Sequence, residues 1–131
     1  EEEVKERGLE GRVVCAGWTD RAREFLLAAD LYLHPALYEG LPLAILEAMS
    51  AGLPCVVSKD IAAEADVFDE GNLIICRDDD DPSWTESVTE RSALRTVAEG
   101  GRQVFEANFT VDAMVRGYMQ RYRMALGKEK A

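Results

Sequence analysis

The sequence predicts an α/β domain in which a doubly wound parallel sheet of about four strands is flanked by helices. Short apolar runs alternate with longer amphipathic segments, and within each run the apolar residues are continuous. Continuous apolar strands are typical of a parallel sheet that helices cover on both faces. No strand pattern follows residue 77, so residues 83–131 are predicted to form a helical C-terminal part.

The elements follow from local signals. Apolar runs predict strands at 13–16, 31–34, 55–58 and 73–76. Helices are predicted at about 20–29, about 42–52 and near 61–67, after a short charged helix over residues 1–7 that Gly8 stops. Pro42 suits the first helical position, and Gly52 followed by Pro54 ends that helix. On the 42–52 helix the small residues Ala44, Ala48 and Ala51 predict the face that lies against the sheet.

The C-terminal part is predicted to form two or three helices ending near residue 126. A break falls at residues 108–110, where Thr110 is placed to cap the last helix. One apolar face is predicted before the break and another after it; their members are Leu94, Val97, Ala98, Gly101 and Phe105, then Met114, Tyr118, Tyr122 and Ala125.

Composition limits the function. With 131 residues, 47% hydrophobic and 31% charged, residues 1–131 are expected to form one domain. The net charge of −10 argues against nucleic acid or an anionic membrane surface as a partner. No apolar run has the length of a bilayer span, and the acidic N-terminus is not a signal peptide, so neither membrane insertion nor export is expected.

Cysteine and histidine usage predicts a reducing compartment and no metal. Cys15, Cys55 and Cys76 each lie in an apolar run and are predicted to be small buried residues of a cytoplasmic protein. No Cys-x-x-Cys spacing occurs and His34 is the single histidine, so a metal site is not expected. His34 precedes a proline at the end of a predicted strand. It either lines the crevice there or is simply packed or solvated, and we favour the second interpretation.

The segment from Glu39 to Glu47, EGLPLAILE, carries the strongest functional signal. It places one carboxylate just before a helix and the other two turns inside it. A helix N-terminus has unpaired N–H groups and a favourable dipole for a diphosphate, and carboxylates nearby can accept hydrogen bonds from sugar hydroxyls. In isolation the pair would be read as a solvated helix face. The accompanying Gly40, Pro42 and Gly52 and the position at the carboxyl edge of the sheet favour a nucleotide-sugar site.

Residues 38–58, YEGLPLAILEAMSAGLPCVVS, resemble the signature of GT4-type retaining glycosyltransferases of the GT-B fold. Residues 13–20 and 29–35 are similar to the C-terminal, donor-binding half of the same family, whose domain is Rossmann-like. The resemblance implies that Glu47 accepts hydrogen bonds from the nucleotide ribose and that Glu39 lies by the donor sugar ring.

Further roles are implied by the same resemblance. Gly40 and Leu41 would approach the sugar through the backbone, and the N–H groups of Leu43 and Ala44 would meet the diphosphate. The loop that would meet the nucleobase is Gly17, Trp18, Thr19 and Asp20. For Thr19 or Asp20, capping of the following helix is an equal alternative. The family generally needs no bound metal, so no cofactor is expected beyond the nucleoside-diphosphate sugar substrate.

Other candidates carry less. Glu64 resembles a family glutamate, but the two glycines that usually precede it are missing. The run Asp78–Asp81 could suggest a cation site, although such a run in a loop is usually solvated. Trp18, Trp84 and the C-terminal tyrosines are interpreted as packing residues rather than as a nucleic-acid stacking platform.

The resemblance also implies that parts of the family's enzyme are absent. A basic pair that neutralises the diphosphate and the whole N-terminal acceptor domain would precede this sequence, so we expect an N-terminally truncated fragment that is inactive alone. In the family's strand order, two absent strands would separate 13–16 from 31–34. We therefore expect an incomplete sheet, completed by rearrangement, strand exchange or self-association.

Two alternatives stay open. One is a non-catalytic nucleotide-sugar or partner-binding module on the same scaffold, and the other is a different GT-B class such as a phosphorylase or an epimerase. The nucleobase, the donor sugar and the acceptor cannot be read from these residues.

Overall fold

A computed structural model describes residues 1–63, 66–77 and 83–127. The elements in chain order are α1 (Glu2–Glu6), α2 (Ala22–Ala28), β1 (Tyr32–His34), α3 (Leu43–Ser50), β2 (Cys55–Ser58), α4 (Lys59–Ala62), β3 (Ile74–Cys76), α5 (Ser83–Ser87), α6 (Arg91–Asn108) and α7 (Val111–Ala125). The predicted succession of strands and helices is confirmed from residue 22 onward.

The sheet is parallel and has the order β1-β2-β3. Tyr32 pairs with Cys55 and His34 with Val57, and β2 pairs with β3 from Val56↔Ile74 onward. β2 lies in the centre, where Val56 and Val57 are almost completely buried. Its continuous apolar pattern is explained by this position, since helices and neighbouring strands cover it on all sides.

The predicted strand at 13–16 is wrong. Among the described residues the sheet has three strands rather than four, and Val13 takes part only in an isolated bridge with Glu10. Val14 is 85% exposed, and Cys15 is exposed instead of buried as predicted. An apolar run forms a strand only when another strand offers it backbone partners, and β1 does not pair with this segment.

The boundaries of α1, α2 and α3 shift by one or two residues from the predicted ones, whereas α4 ends at Ala62, five residues before the predicted end. Pro42 is the N-cap of α3 rather than its first residue. Gly52, at φ +76°, ends α3 as predicted, with Leu53 N–H donating to the Ala48 carbonyl at 3.0 Å. α4 begins at Lys59, earlier than predicted, because Ser58 Oγ caps it by accepting from Ile61 N–H.

The core lies between α3, β2 and α6. The buried face of α3 consists of Ile45, Leu46, Ala48 and Met49, whereas Ala44 is exposed and Ala51 is half-buried. The face predicted from Ala44, Ala48 and Ala51 is therefore wrong in part, because the larger side chains turn inward and bury more apolar area. At Gly101 of α6 an added Cβ would lie 3.4 Å from Met49 Cγ, which shows how closely α6 approaches α3.

The C-terminal part is helical, as predicted. Thr110 caps α7, since its Oγ1 accepts from Ala113 N–H at 3.2 Å. The predicted apolar face of α6 is partly buried, but α7 buries none of its residues and leaves Met114, Tyr118 and Tyr122 about half exposed. No helix in the described ranges combines the length and the apolar character that a membrane span needs.

Candidate functional site

α3 begins with free backbone donors. Its N-cap is Pro42, which offers no side-chain hydrogen bond, and the first helical bonds run from Ile45 and Leu46 N–H back to the Pro42 carbonyl. Within the described residues, the N–H groups of Leu43 and Ala44 therefore have no hydrogen-bond partner. Both residues are exposed, and a helix N-terminus with free donors of this kind favours an anion.

Glu47 lies on the same exposed face as these donors. It follows Leu43 by four residues and Ala44 by three, the spacings that bring side chains together on a helix. Glu47 also borders a cleft of about 600 Å³ between α2, α3 and α6, whose other lining residues are Arg23, Leu26, Leu27, Ser50, Ala51 and Phe105. The carboxylate thus adjoins both the start of α3 and a concave surface.

Glu39 lies on the loop between β1 and α3 and faces a histidine. Its Oε1 is 3.7 Å from His34 Nε2, beyond hydrogen-bond length but within reach of an ion pair. The side chain of Glu39 is 43% exposed, whereas that of His34 is 15% exposed. The imidazole is therefore packed, as favoured from the sequence, with its Nε2 turned toward the carboxylate.

His34 is held from its other side by Tyr32. The Tyr32 hydroxyl is 3.2 Å from His34 Nδ1, and the two rings are stacked with centroids 5.9 Å apart. Burial raises the pKa of Tyr32, and the neighbouring Cys55, Glu47 and Glu39 raise it further. Tyr32 therefore stays protonated at neutral pH, and both glutamates lie close enough to act on it electrostatically.

The predicted nucleobase loop has a different local structure from the one expected. Neither Thr19 nor Asp20 caps α2, whose N-cap is Arg21; Thr19 Oγ1 instead accepts from Arg21 N–H at 3.0 Å. Gly17 adopts φ +67°, which favours glycine, and Trp18 is 91% exposed. In the described residues this loop makes no hydrogen bond to Glu39 or Glu47, so the structure does not join the two groups of predicted residues.

Gly40 and Leu41 are accessible. At Gly40 an added Cβ would meet no atom within 4 Å, and Leu41 is 54% exposed, so the backbone there is open to a ligand. Glu64 and Asp78–Asp81 lie outside the described residues. Within those residues, no group of three or more histidine, cysteine or acidic side chains is arranged to hold a metal ion.

Tyr32 and Arg23 lie near the site and were not selected from the sequence. Tyr32 and His34 are two apart on one strand, so their side chains point to the same face, and that spacing was a usable signal. Arg23 gave no signal, because its place beside Glu47 depends on how α2 packs against α3.

Comparison with known proteins assigns this chain to a family. The family model described as "Glycosyl transferases group 1" matches residues 1–92, which include β1, the Glu39–Glu47 segment and the whole sheet. The chain belongs to the group 1 glycosyltransferases. The predicted membership of a glycosyltransferase family is confirmed at this level.

Two relatives of this glycosyltransferase chain illustrate the range of the family. It is 50% identical over 50 residues to the UDP-Gal:alpha-D-GlcNAc-diphosphoundecaprenol alpha-1,3-galactosyltransferase of Escherichia coli, a match that covers 38% of this chain and 13% of the relative. It is 30% identical over 117 residues to the lipopolysaccharide core biosynthesis glycosyltransferase LpsE of Rhizobium meliloti, covering 86% of this chain and 34% of the relative. The chain thus spans at most about a third of either relative.

The fold of this glycosyltransferase chain also has a solved counterpart. Sucrose-phosphate synthase from Thermosynechococcus elongatus superposes with a TM-score of 0.77 at 24% sequence identity, over 98% of this chain and 34% of the synthase. The predicted α/β class with a parallel sheet and flanking helices, similar to a GT-B glycosyltransferase, is therefore confirmed at the level of fold.

Proposed function

We propose that this chain is the donor-binding part of a GT4-type retaining glycosyltransferase of the cytoplasm. The complete enzyme would transfer a sugar from a nucleoside-diphosphate sugar to an acceptor, using an acceptor domain that these residues do not supply. The isolated chain would bind the donor but transfer no sugar. Family membership supports the class of reaction, and the relatives' greater length supports the need for further residues.

The start of α3 carries the proposal. The unpaired N–H groups of Leu43 and Ala44 are exposed beside Glu47, with Glu39 on the loop just before them. The diphosphate would accept hydrogen bonds from these two donors, where the helix dipole adds a favourable positive potential. During transfer, negative charge develops on the leaving diphosphate, and preorganised N–H donors would stabilise it.

The two carboxylates would hold the neutral parts of the donor. Glu47 would accept hydrogen bonds from the ribose hydroxyls, in the part of the cleft nearest the start of α3. Glu39 would lie by the sugar ring, which Gly40 and Leu41 would approach through the backbone. Trp18 would offer an exposed ring for stacking on the nucleobase, with Gly17, Thr19 and Asp20 shaping that loop. No metal takes part in this proposal.

Calorimetric titration of the chain with UDP, GDP and ADP tests it. We expect one of the three to bind and Glu47→Gln to weaken that binding by about 10- to 100-fold, because a hydrogen bond to a charged group contributes about 1.5–3 kcal/mol. The relative named for a UDP-Gal donor makes UDP the first nucleotide to try.

Glu99→Gln provides the matched control. Glu99 is an exposed carboxylate of α6 that contacts Gln103 and does not border the Glu47 cleft. Its variant loses the same charge and should bind nucleotide like the wild type. Equal affinity in the wild type and Glu47→Gln, or no binding of any nucleotide, would contradict the proposed site.

A further inference from the structure

His34 has a polar atom that its surroundings leave unused. Nε2 is buried and has no hydrogen-bond partner, although Glu39 Oε1 lies 3.7 Å away. Buried polar atoms of side chains are nearly always paired, so an unpaired one next to a partly exposed carboxylate calls for an explanation. The Nε2–Oε1 distance is about 0.5 Å longer than the longest usual N–H···O hydrogen bond of about 3.2 Å, so a hydrogen bond would need Glu39 to move toward the ring by at least that much.

The state of the imidazole follows from its two neighbours. A carboxylate can only accept hydrogen bonds, so the nitrogen facing Glu39 is best occupied by a proton. The Tyr32 hydroxyl, 3.2 Å from Nδ1, can donate to that nitrogen when it carries no proton. Both contacts favour the same neutral tautomer, with hydrogen on Nε2 and a lone pair on Nδ1.

We propose that His34 is a positioning residue that orients Glu39 through an Nε2–H···Oε1 hydrogen bond, with Tyr32 fixing the imidazole tautomer. One oxygen of Glu39 is then held by the protein while the other stays free to accept a hydrogen bond from the donor sugar. The inference rests on the proposed function, since it assigns Glu39 a sugar to face. His34 acts only through Glu39 and does not touch the substrate.

Four titratable groups of the described residues act on Tyr32 or His34. They are Tyr32 on the same strand, Glu39 on the following loop, Glu47 on α3 and Cys55 on β2. The pKa values of Tyr32 and Cys55 are raised by burial, and the carboxylate oxygens of the two glutamates can only accept hydrogen bonds. Neither competes with Tyr32 as the donor to Nδ1.

Nitrogen NMR of the free protein tests the tautomer directly, because His34 is the only histidine of the chain. At a pH where the ring is neutral, we expect Nε2 to carry the proton and Nδ1 to resonate as an unprotonated nitrogen. Tyr32→Phe removes the donor to Nδ1 and should raise the share of the tautomer protonated on Nδ1, while the Glu39 contact still favours hydrogen on Nε2. A wild-type imidazole protonated on Nδ1, or a tautomer unchanged in Tyr32→Phe, would overturn the inference.

A binding series tests the effect on Glu39. The quantity measured is the ratio of two affinities, that of a nucleotide sugar divided by that of the nucleotide alone. The nucleotide sugar is UDP-galactose, GDP-mannose or ADP-glucose, according to the nucleotide that binds. His34→Leu should reduce this ratio by about tenfold through the lost hydrogen bond while nucleotide affinity stays within twofold. His34→Gln keeps a donor near the ε position and should restore the ratio.

The outcomes separate the two claims. Failure of all three nucleotides to bind contradicts the proposed function and, with it, the role of His34 in placing the sugar. Intact nucleotide binding with an unchanged ratio in His34→Leu contradicts this inference alone. Should His34→Leu unfold, as judged by circular dichroism, the ratio is measured in Tyr32→Phe, where a smaller reduction is expected and an unchanged ratio counts against the inference.

Discussion

Gly100 of α6 gives a sharp test of the packing that supports α3. A Cβ added to this glycine would lie 2.1 Å from the Gly71 carbonyl oxygen and 3.1 Å from the Gly71 carbonyl carbon. Ordinary contacts begin at 3.4 Å, so the helix and the turn would have to separate by about 1.3 Å, the difference between 3.4 and 2.1 Å. Backbone lies on both sides of the contact, so no side chain can move aside to relieve it.

The cost of Gly100→Ala can be worked out from these contacts. Overpacking of this kind costs about 1–3 kcal/mol. Shifting the turn also strains buried Asn72, whose amide donates to the Val67 carbonyl at 3.0 Å and to Asp69 Oδ1 at 2.7 Å, and losing one such bond costs about 1 kcal/mol. Against this, alanine gains about 1 kcal/mol over glycine in a helix. The net expectation is a loss of about 1–3 kcal/mol in the free energy of unfolding.

Urea denaturation followed by circular dichroism measures this loss. Gly117→Ala in α7 is the matched control, because it is the same substitution inside a helix where an added Cβ meets no atom within 4 Å. That variant should gain up to about 1 kcal/mol from helix propensity alone. If Gly100→Ala proved as stable as the wild type or more so, the close approach of α6 to the Gly71–Asn72 turn would be refuted.

Three other predictions concern stability and thiol chemistry. Burial raises the pKa of Cys55 to about 12. The folded state therefore keeps this thiol protonated while the unfolded chain ionises it near pH 9, so the free energy of unfolding should fall between about pH 9 and 12, by up to about 1.4 kcal/mol per pH unit. Urea titrations should show a smaller alkaline loss in Cys55→Ala. Cys15 is exposed and Cys55 buried, so Ellman's reagent should modify Cys15 in the native state and Cys55 only after unfolding; native-state protection of Cys15 in a Cys55→Ser, Cys76→Ser variant would count against its exposure. Thr110→Ala should cost about 1 kcal/mol by removing the cap of α7, while Thr110→Ser keeps it, and equal urea midpoints for the two would contradict the capping role.

The parts of the fold that local signals determine were predictable. Pro42 and Gly52 bracket α3, and the hydroxyl of Thr110 starts α7, because each acts on backbone groups within a few residues. The segment at 13–16 has the same apolar character as β2, yet it forms no strand. Its state depends on a neighbouring strand, which the composition of the run itself cannot reveal.

The candidate site also has features that the sequence predicts and features that depend on the fold. The exposed donors of Leu43 and Ala44 and the placement of Glu47 follow from helix geometry, so the sequence was sufficient to predict them. The approach of Glu39 to His34 depends on the path of the loop over residues 35–42, and the place of Arg23 depends on helix packing. Residue spacing determines neither the path of that loop nor the packing of α2 against α3. The roles assigned to the site residues remain predictions until nucleotide binding is measured.

The central position of β2 sets a gradient of hydrogen exchange across the site. Its amides are shielded by β1 and β3 on either side, so we expect them to exchange with deuterium only when the whole domain unfolds. The loop over residues 35–42 pairs with no strand in the described part of the chain, and the Ser58 hydroxyl of β2 ties it to the sheet by donating to the Ala36 carbonyl. It contains the exposed Leu37, Tyr38 and Leu41, so its amides should exchange through local opening. Glu39 would then sit on a segment that can reshape around a sugar while the strand on one side and the helix on the other remain closed.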